Sequence, residues 1–305
     1  MNKKSILAGL LAAIVVTIWG ITFVSTKYLL NYFSPFEILF IRYFMAFCAL
    51  WIIYPHKLVL QNKKHEIFFV LAGLTGVVIY QLMENTAIGY TNASNVSIIV
   101  SICPMFTAIL SQLILKEKSI TPKFLIGFIV AIFGVMMVCF NGVMEFHLNP
   151  LGDVLALISG ISWGFYSILI SKINKLGINP IPATRRVFFW ASVIMLPILL
   201  AGAFVPGLEN SNFHVELSAS LNVSRFANPG CWLNLLFLGL LASSFCFIAW
   251  NKVCATLGTV KVSVGLYLIP VVTVIFAFFV LHETLSLMGI IGAVFTILGV
   301  AISNH

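Results

Sequence analysis

Ten stretches of apolar residues, each long enough to cross a lipid bilayer as a helix, follow one another along the chain. A bilayer core about 30 Å thick needs roughly 20 apolar residues in helical form, and a helix satisfies its own backbone hydrogen bonds in lipid. Only 9% of the 305 residues are charged, whereas a soluble domain carries about 25%. The sequence therefore predicts an all-α polytopic membrane protein with ten transmembrane helices. The stretches fall at about residues 5–30, 36–54, 67–89, 93–115, 122–141, 151–172, 183–204, 231–256, 259–281 and 286–303.

The positively charged residues indicate the orientation of these helices. If the N-terminus lies in the cytoplasm, fourteen of the seventeen Lys and Arg residues fall in cytoplasmic segments. The other three are Arg225 in an outer loop, and Lys27 and Arg42 within spans. Because cytoplasmic loops carry an excess of Lys and Arg, we expect both termini in the cytoplasm and the protein in the cytoplasmic (inner) membrane. The same rule explains the net charge of +8, so no nucleic-acid partner is expected.

The second half of the chain repeats the first, with residues 97–137 aligning with residues 263–302. The pairs matched at a spacing of 166 are Asn85 and Asn251, Ser97 and Ser263, Pro104 and Pro270, and Glu117 and Glu283. The pairs matched at a spacing of 144 are Trp19 and Trp163, and Arg42 and Arg186. We therefore expect two homologous five-helix units, at residues 1–145 and 146–305, the second with an outer loop at about 205–230.

An odd number of helices in each unit has a topological consequence. When the first unit begins in the cytoplasm, the second begins outside, so the two repeats have inverted topology. Inverted repeats recur in secondary transporters, whose substrate site lies near the membrane midplane between the repeats. The sequence therefore favours a transporter that moves a small-molecule substrate by alternating access.

Several loose motifs occur in a fixed order and twice. They are the Trp-Gly pairs of the first and sixth spans, the arginines of the second and seventh, and the segment 90–117 with its second copy ending at Glu283. In this order the chain resembles the EamA-type branch of the drug/metabolite transporter superfamily, over nearly its whole length. The resemblance implies export of small metabolites, often amino acids, through a central cavity lined by the first, third, fourth, sixth, eighth and ninth helices. The outer loop at 207–229 looks longer than is typical of the family. A tolerated insertion is the favoured interpretation, and a cover over the outer mouth is the alternative.

Three ionisable residues lie within the outer half of the predicted spans. Glu84 interrupts the third span, Arg42 lies at similar depth in the second, and Lys27 lies near the outer end of the first. Ionisable groups inside a membrane are costly and usually face protein or a water-filled cavity. Glu84 is therefore a candidate for binding a substrate amine or carrying a coupled proton, and Arg42 for binding a carboxylate. The structural alternative is an ion pair of Glu84 with Arg42 or Lys27 that fixes helix packing.

Aromatic and small polar residues form a second group of candidates. Deep aromatic side chains with sparse hydrogen-bonding groups suit an amphipathic solute, although membrane Trp and Tyr also form interfacial belts. Tyr80 lies one helical turn from Glu84, so both are expected on one face. The candidate cavity residues are Trp19, Tyr80, Asn85, Ser101, Trp163, Tyr166, Asn251 and Tyr267.

Charge pairing or gating is the hypothesis for three further residues. Pro104 and Pro270 are expected in the middle of equivalent helices, where a proline removes a backbone hydrogen bond and can kink the helix. The two kinks could serve gating or could be fixed features of the packing. Arg186 is expected at the inner end of the seventh helix, where it suits a gate or a scaffold.

Other function classes find little support in the sequence. No Walker A pattern is present, acids within the spans are isolated, and the six Cys residues lack metal-binding spacing. We therefore expect no enzyme activity, no cofactor and no metal site, and a receptor would not need inverted repeats. The alternatives within transport are an importer or exchanger of a sugar or other metabolite, and a drug exporter. We expect a monomer or homodimer in the lipid bilayer.

Overall fold

A computed structural model of the chain describes residues 3–90, 96, 99–140, 149–204, 224–281 and 286–303. All regular secondary structure in these ranges is helical. The helices are α1 (Lys3–Leu29), α2 (Pro35–Ile53), α3 (Lys63–Tyr90), α4 (Cys103–Leu115), α5 (Pro122–Phe140), α6 (Pro150–Asn174), α7 (Pro180–Phe204), α8 (Pro229–Leu257), α9 (Thr259–Ser263 and then Ile269–Leu281) and α10 (Leu287–Ser303).

Within the described ranges, seven helices are long and apolar enough to cross a membrane. They are α1, α2, α3, α6, α7, α8 and the segment Thr259–Phe276 of α9. α4, α10 and the segment Pro122–Val138 of α5 are apolar but shorter. Because a helix of about 20 apolar residues spans the hydrocarbon core, the chain is an integral membrane protein.

A short polar residue followed by proline marks the start of several helices. Ser34 caps α2 by accepting a hydrogen bond from the Glu37 backbone at 3.1 Å, and the Glu37 carboxylate accepts one from the Ser34 backbone at 2.9 Å. Asn149 and Asn228 cap α6 and α8, each directly before a proline. A polar cap satisfies otherwise unpaired amides, and a proline at the first position has no amide to satisfy. The three predicted starts therefore lie within two residues of the observed ones.

The helices pack around an aromatic core. α1 packs against α8 and α9, α2 against α7 and α8, and α3 against α6 and α7. The largest fully buried side chains include Tyr43 of α2, Tyr166 of α6 and Trp250 of α8. Since lipid provides no hydrophobic force between helices, close van der Waals packing of this kind holds the bundle together.

α5 and α10 form a closely packed pair through glycines on both helices. A Cβ atom added to Gly299 would lie 2.6 Å from both Ala131 Cα and the Gly127 carbonyl oxygen. A Cβ atom on Gly292 would lie 2.7 Å from the Gly134 carbonyl oxygen. Small residues allow helix backbones to approach in membranes, so these glycines set the distance between the two helices.

Of the two prolines expected in the middle of helices, Pro104 lies near a helix start, whereas Pro270 lies within the helical run Thr259–Phe276. Pro104 is the second residue of α4, which follows a turn at residues 101–102. Pro270 is the second residue of the longer part of α9, which follows the 3₁₀ segment Val264–Leu268. Because proline has no amide to continue the α-helical ladder, α4 begins directly before Pro104 after a turn, and α9 passes through a 3₁₀ segment before Pro270 without ceasing to be helical.

Some sequence-based expectations fall outside the described residues. They are Ser97, Glu283 and most of the outer loop at about 205–230, whose described end is the helical turn Ser224–Ala227.

Replacing Gly299 by Val should destabilise the protein. The added methyl groups would meet backbone atoms of α5, and overpacking of this kind costs about 1–3 kcal/mol. Thermal unfolding in detergent, followed by tryptophan fluorescence, should give a lower midpoint. Gly9→Val is the matched control, because nothing lies within 4 Å of an added Cβ atom there. Equal midpoints for the two variants would contradict the packing role of Gly299.

Candidate functional site

A buried cavity lies between α1, α2, α3, α6, α8 and α9, beside the start of α4. Its volume is about 40 Å³, which is enough for about three water molecules. Binding sites for small organic ligands are commonly about 300–1,000 Å³. The cavity is therefore nearly closed in this conformation.

Trp163 of α6 is central to the aromatic wall of the cavity. Its ring centroid lies 4.9 Å from that of Tyr80, 5.0 Å from Tyr166 and 5.6 Å from Trp19. The Trp19 ring N–H donates to the Ala242 carbonyl oxygen at 3.0 Å, which fixes the indole. The Trp163 ring N–H has no hydrogen-bond partner within the described ranges. The wall thus combines a large apolar surface with an available donor.

Arg42 of α2 brings a positive charge to the cavity and is only 3% exposed. Its Nε atom donates to the Ser243 hydroxyl at 2.9 Å, and its Nη1 atom donates to Gln81 Oε1 at 2.8 Å. These bonds join α2 to α8 and α3 and fix the guanidinium group. They use two of its five N–H groups, so the group can still donate to a ligand.

Glu84 of α3 lines the same cavity and is 7% exposed. The side chain of Tyr80 is a hydrogen-bond partner of its carboxylate, and the charge of Arg42 acts on it through space. Its Oε2 atom has no hydrogen-bond partner in the part of the chain that is described. An unsatisfied buried acceptor costs about 1–3 kcal/mol, and more when charged. The atom is therefore suited to accept a hydrogen bond from a ligand or to take up a proton.

The direct ion pairs suggested for Glu84 are not formed among the described residues. Arg42 donates to Ser243 and Gln81 instead, and Lys27 is exposed on α1. The ion pairs that these ranges contain lie elsewhere, between Lys175 and Glu117, Arg186 and Glu66, and Arg225 and Glu37. Arg42 therefore acts on Glu84 at longer range than a contact pair.

Three candidate cavity residues are bonded to protein groups next to the cavity. Tyr166 donates to Asn251 Oδ1 at 3.3 Å, and Asn251 Nδ2 donates to the Thr184 hydroxyl at 2.9 Å. Asn85 donates to the Pro35 carbonyl oxygen at 3.5 Å. These bonds connect helices, so the three residues support the packing around the cavity rather than line it.

Two further candidates lie away from the cavity. Tyr267 is fully buried in a separate apolar cluster, where its ring centroid lies 6.2 Å from that of Phe128. Arg186 pairs with Glu66 at 2.7 Å, near the start of α3. Arg42 and Arg186 therefore have different surroundings, although the sequence aligns them.

The structure brings together several predicted residues and some that sequence reasoning missed. The predicted residues in the cavity lining are Trp19, Arg42, Tyr80, Glu84, Ser101 and Trp163. The missed ones include Gln81, Cys103 and Phe247. Gln81 had a signal, because it is polar, follows Tyr80 and lies three residues before Glu84. Phe247 had none, since phenylalanine is common in all the spans.

The family comparison covers nearly the whole chain. The model described as "EamA-like transporter family" matches residues 6–140 and 150–305. The chain belongs to the EamA-like transporter family. The resemblance seen in the sequence motifs is thereby confirmed, and the protein is a transporter of that family.

Relatives of this EamA-like protein are named as transporters or pumps. An "uncharacterized transporter" of Archaeoglobus fulgidus is 28% identical over 308 residues, which cover 100% of this chain and 98% of the relative. A "probable amino-acid metabolite efflux pump" of Salmonella typhimurium is 26% identical over 306 residues, which cover 99% of this chain and 95% of the relative. Neither name describes an enzyme.

A solved structure shares the fold of this EamA-like chain. It is described as "Crystal structure of protein" and gives a TM-score of 0.72, covering 97% of this chain and 95% of the other. The sequences are 14% identical. The likeness therefore concerns the helix arrangement and not the substrate.

A double-mutant cycle tests the electrostatic link between Arg42 and Glu84. Arg42→Met should lower the free energy of unfolding in mixed micelles, because the buried Glu84 carboxylate loses a compensating charge. The loss should be smaller by about 1 kcal/mol in a Glu84→Gln background, where no carboxylate needs compensation.

Arg42→Lys is the control for this cycle, because it keeps the positive charge but not the two-sided hydrogen bonding. It should retain most of the coupling to Glu84. Equal losses from Arg42→Met in both backgrounds would show that Arg42 acts only through its bonds to Gln81 and Ser243.

Proposed function

We propose that this EamA-like transporter exports small amphipathic metabolites, amino acids first, across the cytoplasmic membrane by alternating access. The observation that carries the proposal is one buried cavity that combines an aromatic wall with an acid and a base. A zwitterionic amino acid presents an ammonium group, a carboxylate and a side chain. Glu84 would bind the ammonium group and Arg42 the carboxylate. The rings around Trp163 would contact the side chain.

The chemistry of each contact supports this match. A guanidinium group binds carboxylates through paired, charge-assisted hydrogen bonds, and Arg42 is already fixed by Gln81 and Ser243. An ammonium group is attracted both to a carboxylate and to the face of a tryptophan ring. A sugar would instead need many hydroxyl and amide partners, and the lining provides few beyond Thr22, Gln81 and Ser101. The Salmonella relative is named as an amino-acid metabolite efflux pump, which is consistent with an amino-acid substrate.

We infer ten membrane crossings, α1 to α10, in two inverted repeats at residues 1–145 and 146–305. The π-helical segments Leu74–Ile79 of α3 and Phe237–Phe245 of α8 support the repeat. Leu74 lies 166 residues before Leu240, which is the spacing of the matched sequence pairs. π-Helical turns are rare, so their occurrence at equivalent positions favours a common origin. The turn before Pro104 and the 3₁₀ segment before Pro270 follow the same spacing.

Two ion pairs at different helix ends suit the closing steps of alternating access. Glu37 pairs with Arg225 at 3.1 Å, and Glu66 pairs with Arg186 at 2.7 Å. In the proposed orientation, with both termini cytoplasmic, the first pair lies at the outer end and the second at the inner end. The cavity of about 40 Å³ must widen to admit a substrate, and opening either end would provide the room.

Glu84 is also the proposed site of proton coupling. A substrate ammonium group and a proton would compete for the same carboxylate, because each neutralises its charge in a poorly hydrated cavity. Protonation on the outer side would release the substrate, and deprotonation on the inner side would allow the next one to bind. Efflux of substrate would thereby be exchanged for proton entry.

Transport by purified protein in liposomes tests the substrate and the coupling together. Vesicles loaded with radiolabelled leucine, phenylalanine, lysine or glucose should release the two apolar amino acids fastest. An inward proton gradient should accelerate release by the unchanged protein but not by Glu84→Gln, whose side chain cannot exchange a proton.

Glu117→Gln is the matched control, since Glu117 is half exposed and pairs with Lys175 outside the cavity. It should keep the gradient effect. Release of glucose without any amino acid would contradict the substrate assignment. A gradient effect that persists in Glu84→Gln would contradict the coupling role while leaving the substrate assignment intact.

Labelling of single cysteines tests the inverted repeat. Lys118 and Thr284 are 166 residues apart, so inverted repeats place them on opposite sides of the membrane. In a variant without native cysteines, Thr284→Cys should react with an impermeant maleimide in intact cells. Lys118→Cys should react only after permeabilisation. Reaction of both positions from one side would indicate parallel repeats.

A further inference from the structure

A second groove lies where α2 ends and α7 begins, separate from the transport cavity. It has a volume of about 300 Å³ and shares no lining residue with that cavity. The aromatic and cationic residues in its lining are Phe47, Trp51, Lys57, Arg185, Arg186 and Phe189. It thus combines three cations with aromatic walls.

Arg185 is a buried cation without a carboxylate partner in the described ranges. It is 5% exposed, and it donates to the backbone carbonyl oxygens of Tyr54 and His56. Its guanidinium group lies 4.0 Å from the centre of the Trp51 ring. Carbonyl dipoles and a ring face attract a cation but do not neutralise it, and a buried charge is costly unless it is paired.

The neighbouring charges leave the groove positive. Arg186 is paired with Glu66 through hydrogen bonds of 2.7 and 3.0 Å, so this pair is neutral. Lys57 is exposed at the rim and forms no ion pair among the described residues. Arg185 and Lys57 therefore present two uncompensated positive charges to one space, which is the arrangement that binds a phosphate group.

The groove has apolar walls that are partly exposed at the molecular surface. The rings of Phe47 and Phe189 lie 6.1 Å apart, and Phe189 is 37% exposed. Val59, also in the lining, is 85% exposed. Apolar walls of this kind do not stabilise a bound soluble anion, but they can contact the glycerol and acyl chains of a lipid.

We propose that this groove binds an anionic phospholipid, with its phosphate group at Arg185 and Lys57 and its acyl chains along Phe47 and Phe189. Basic pockets between transmembrane helices on the cytoplasmic side are suited to such headgroups. The excess of Lys and Arg at this end of the bundle fits that side of the membrane. The bound lipid supplies the counter-charge that Arg185 lacks and joins the end of α2 to the start of α7.

Native mass spectrometry of the purified full-length protein tests the proposal. Dissociation constants are measured for phosphatidylglycerol and for phosphatidylcholine with identical acyl chains. Phosphatidylglycerol should bind at least about tenfold more tightly, because two cations each contribute about 1 kcal/mol with an anionic headgroup. Lys57→Gln should weaken phosphatidylglycerol binding about fivefold and phosphatidylcholine binding less, because the choline cation offsets the phosphate charge of phosphatidylcholine.

Lys261→Gln is the matched control, because it removes the same charge from an exposed residue outside the groove. It should leave phosphatidylglycerol binding unchanged. Arg185→Gln should weaken binding more than Lys57→Gln, and its thermal midpoint without added lipid separates loss of binding from loss of folding.

Three results would overturn the proposal. They are equal affinities for the two lipids, equal losses from Lys57→Gln and Lys261→Gln, and full displacement of phosphatidylglycerol by millimolar inorganic phosphate. The last result would indicate a site for a soluble anion instead of a lipid.

Discussion

Hydrocarbon offers no hydrogen bonds to a peptide backbone, and this constraint acts on each part of the structure. It makes the apolar stretches helical, and it allows a helix to be interrupted only where protein or a watery space replaces the lost partner. The turn before Pro104 and the 3₁₀ segment before Pro270 follow this rule. Cys103 and Ile269, the residues directly before the two prolines, both line the central cavity. Irregular backbone therefore marks the position of the site as clearly as the charged side chains do.

The same constraint separates structural charges from those available for function. Glu66 and Glu37 each have an arginine partner within 3.1 Å, so their charges are neutralised by ion pairs within the protein. Glu84 has a buried oxygen without a partner in the described ranges, and Arg42 bonds only neutral groups there. Two opposite charges that share a cavity without direct contact keep a capacity to bind. A direct pair would have stabilised the packing better but would have had less to offer a ligand.

Sequence patterns predicted the helices of the described ranges well because length and apolarity are local properties. The starts of α2, α6 and α8 follow from Ser34, Asn149 and Asn228, each of which precedes a proline. The cavity was predictable only in part, since a lining position depends on how helices pack. Glu84 was detectable because an ionisable residue within a membrane span is costly and usually faces protein or a water-filled cavity. Asn251 carried the same kind of signal, yet its amide bonds Thr184 and connects helices, because polarity alone does not say whether the partner is protein or substrate.

The proposed repeat would give two equivalent halves, which must still bind an asymmetric solute. Glu84 lies 166 residues before Trp250, so in the proposed repeat an acid and an aromatic residue occupy equivalent positions. Trp250 packs against Trp19, with ring centroids 5.0 Å apart, and so supports the aromatic wall from behind. An acid at both positions would add a second buried charge, with its desolvation cost, and would remove this support. In the proposed repeat, divergence at this pair of positions gives the cavity a polar side on α3 and an apolar side backed by α8, which matches the proposed amphipathic substrate.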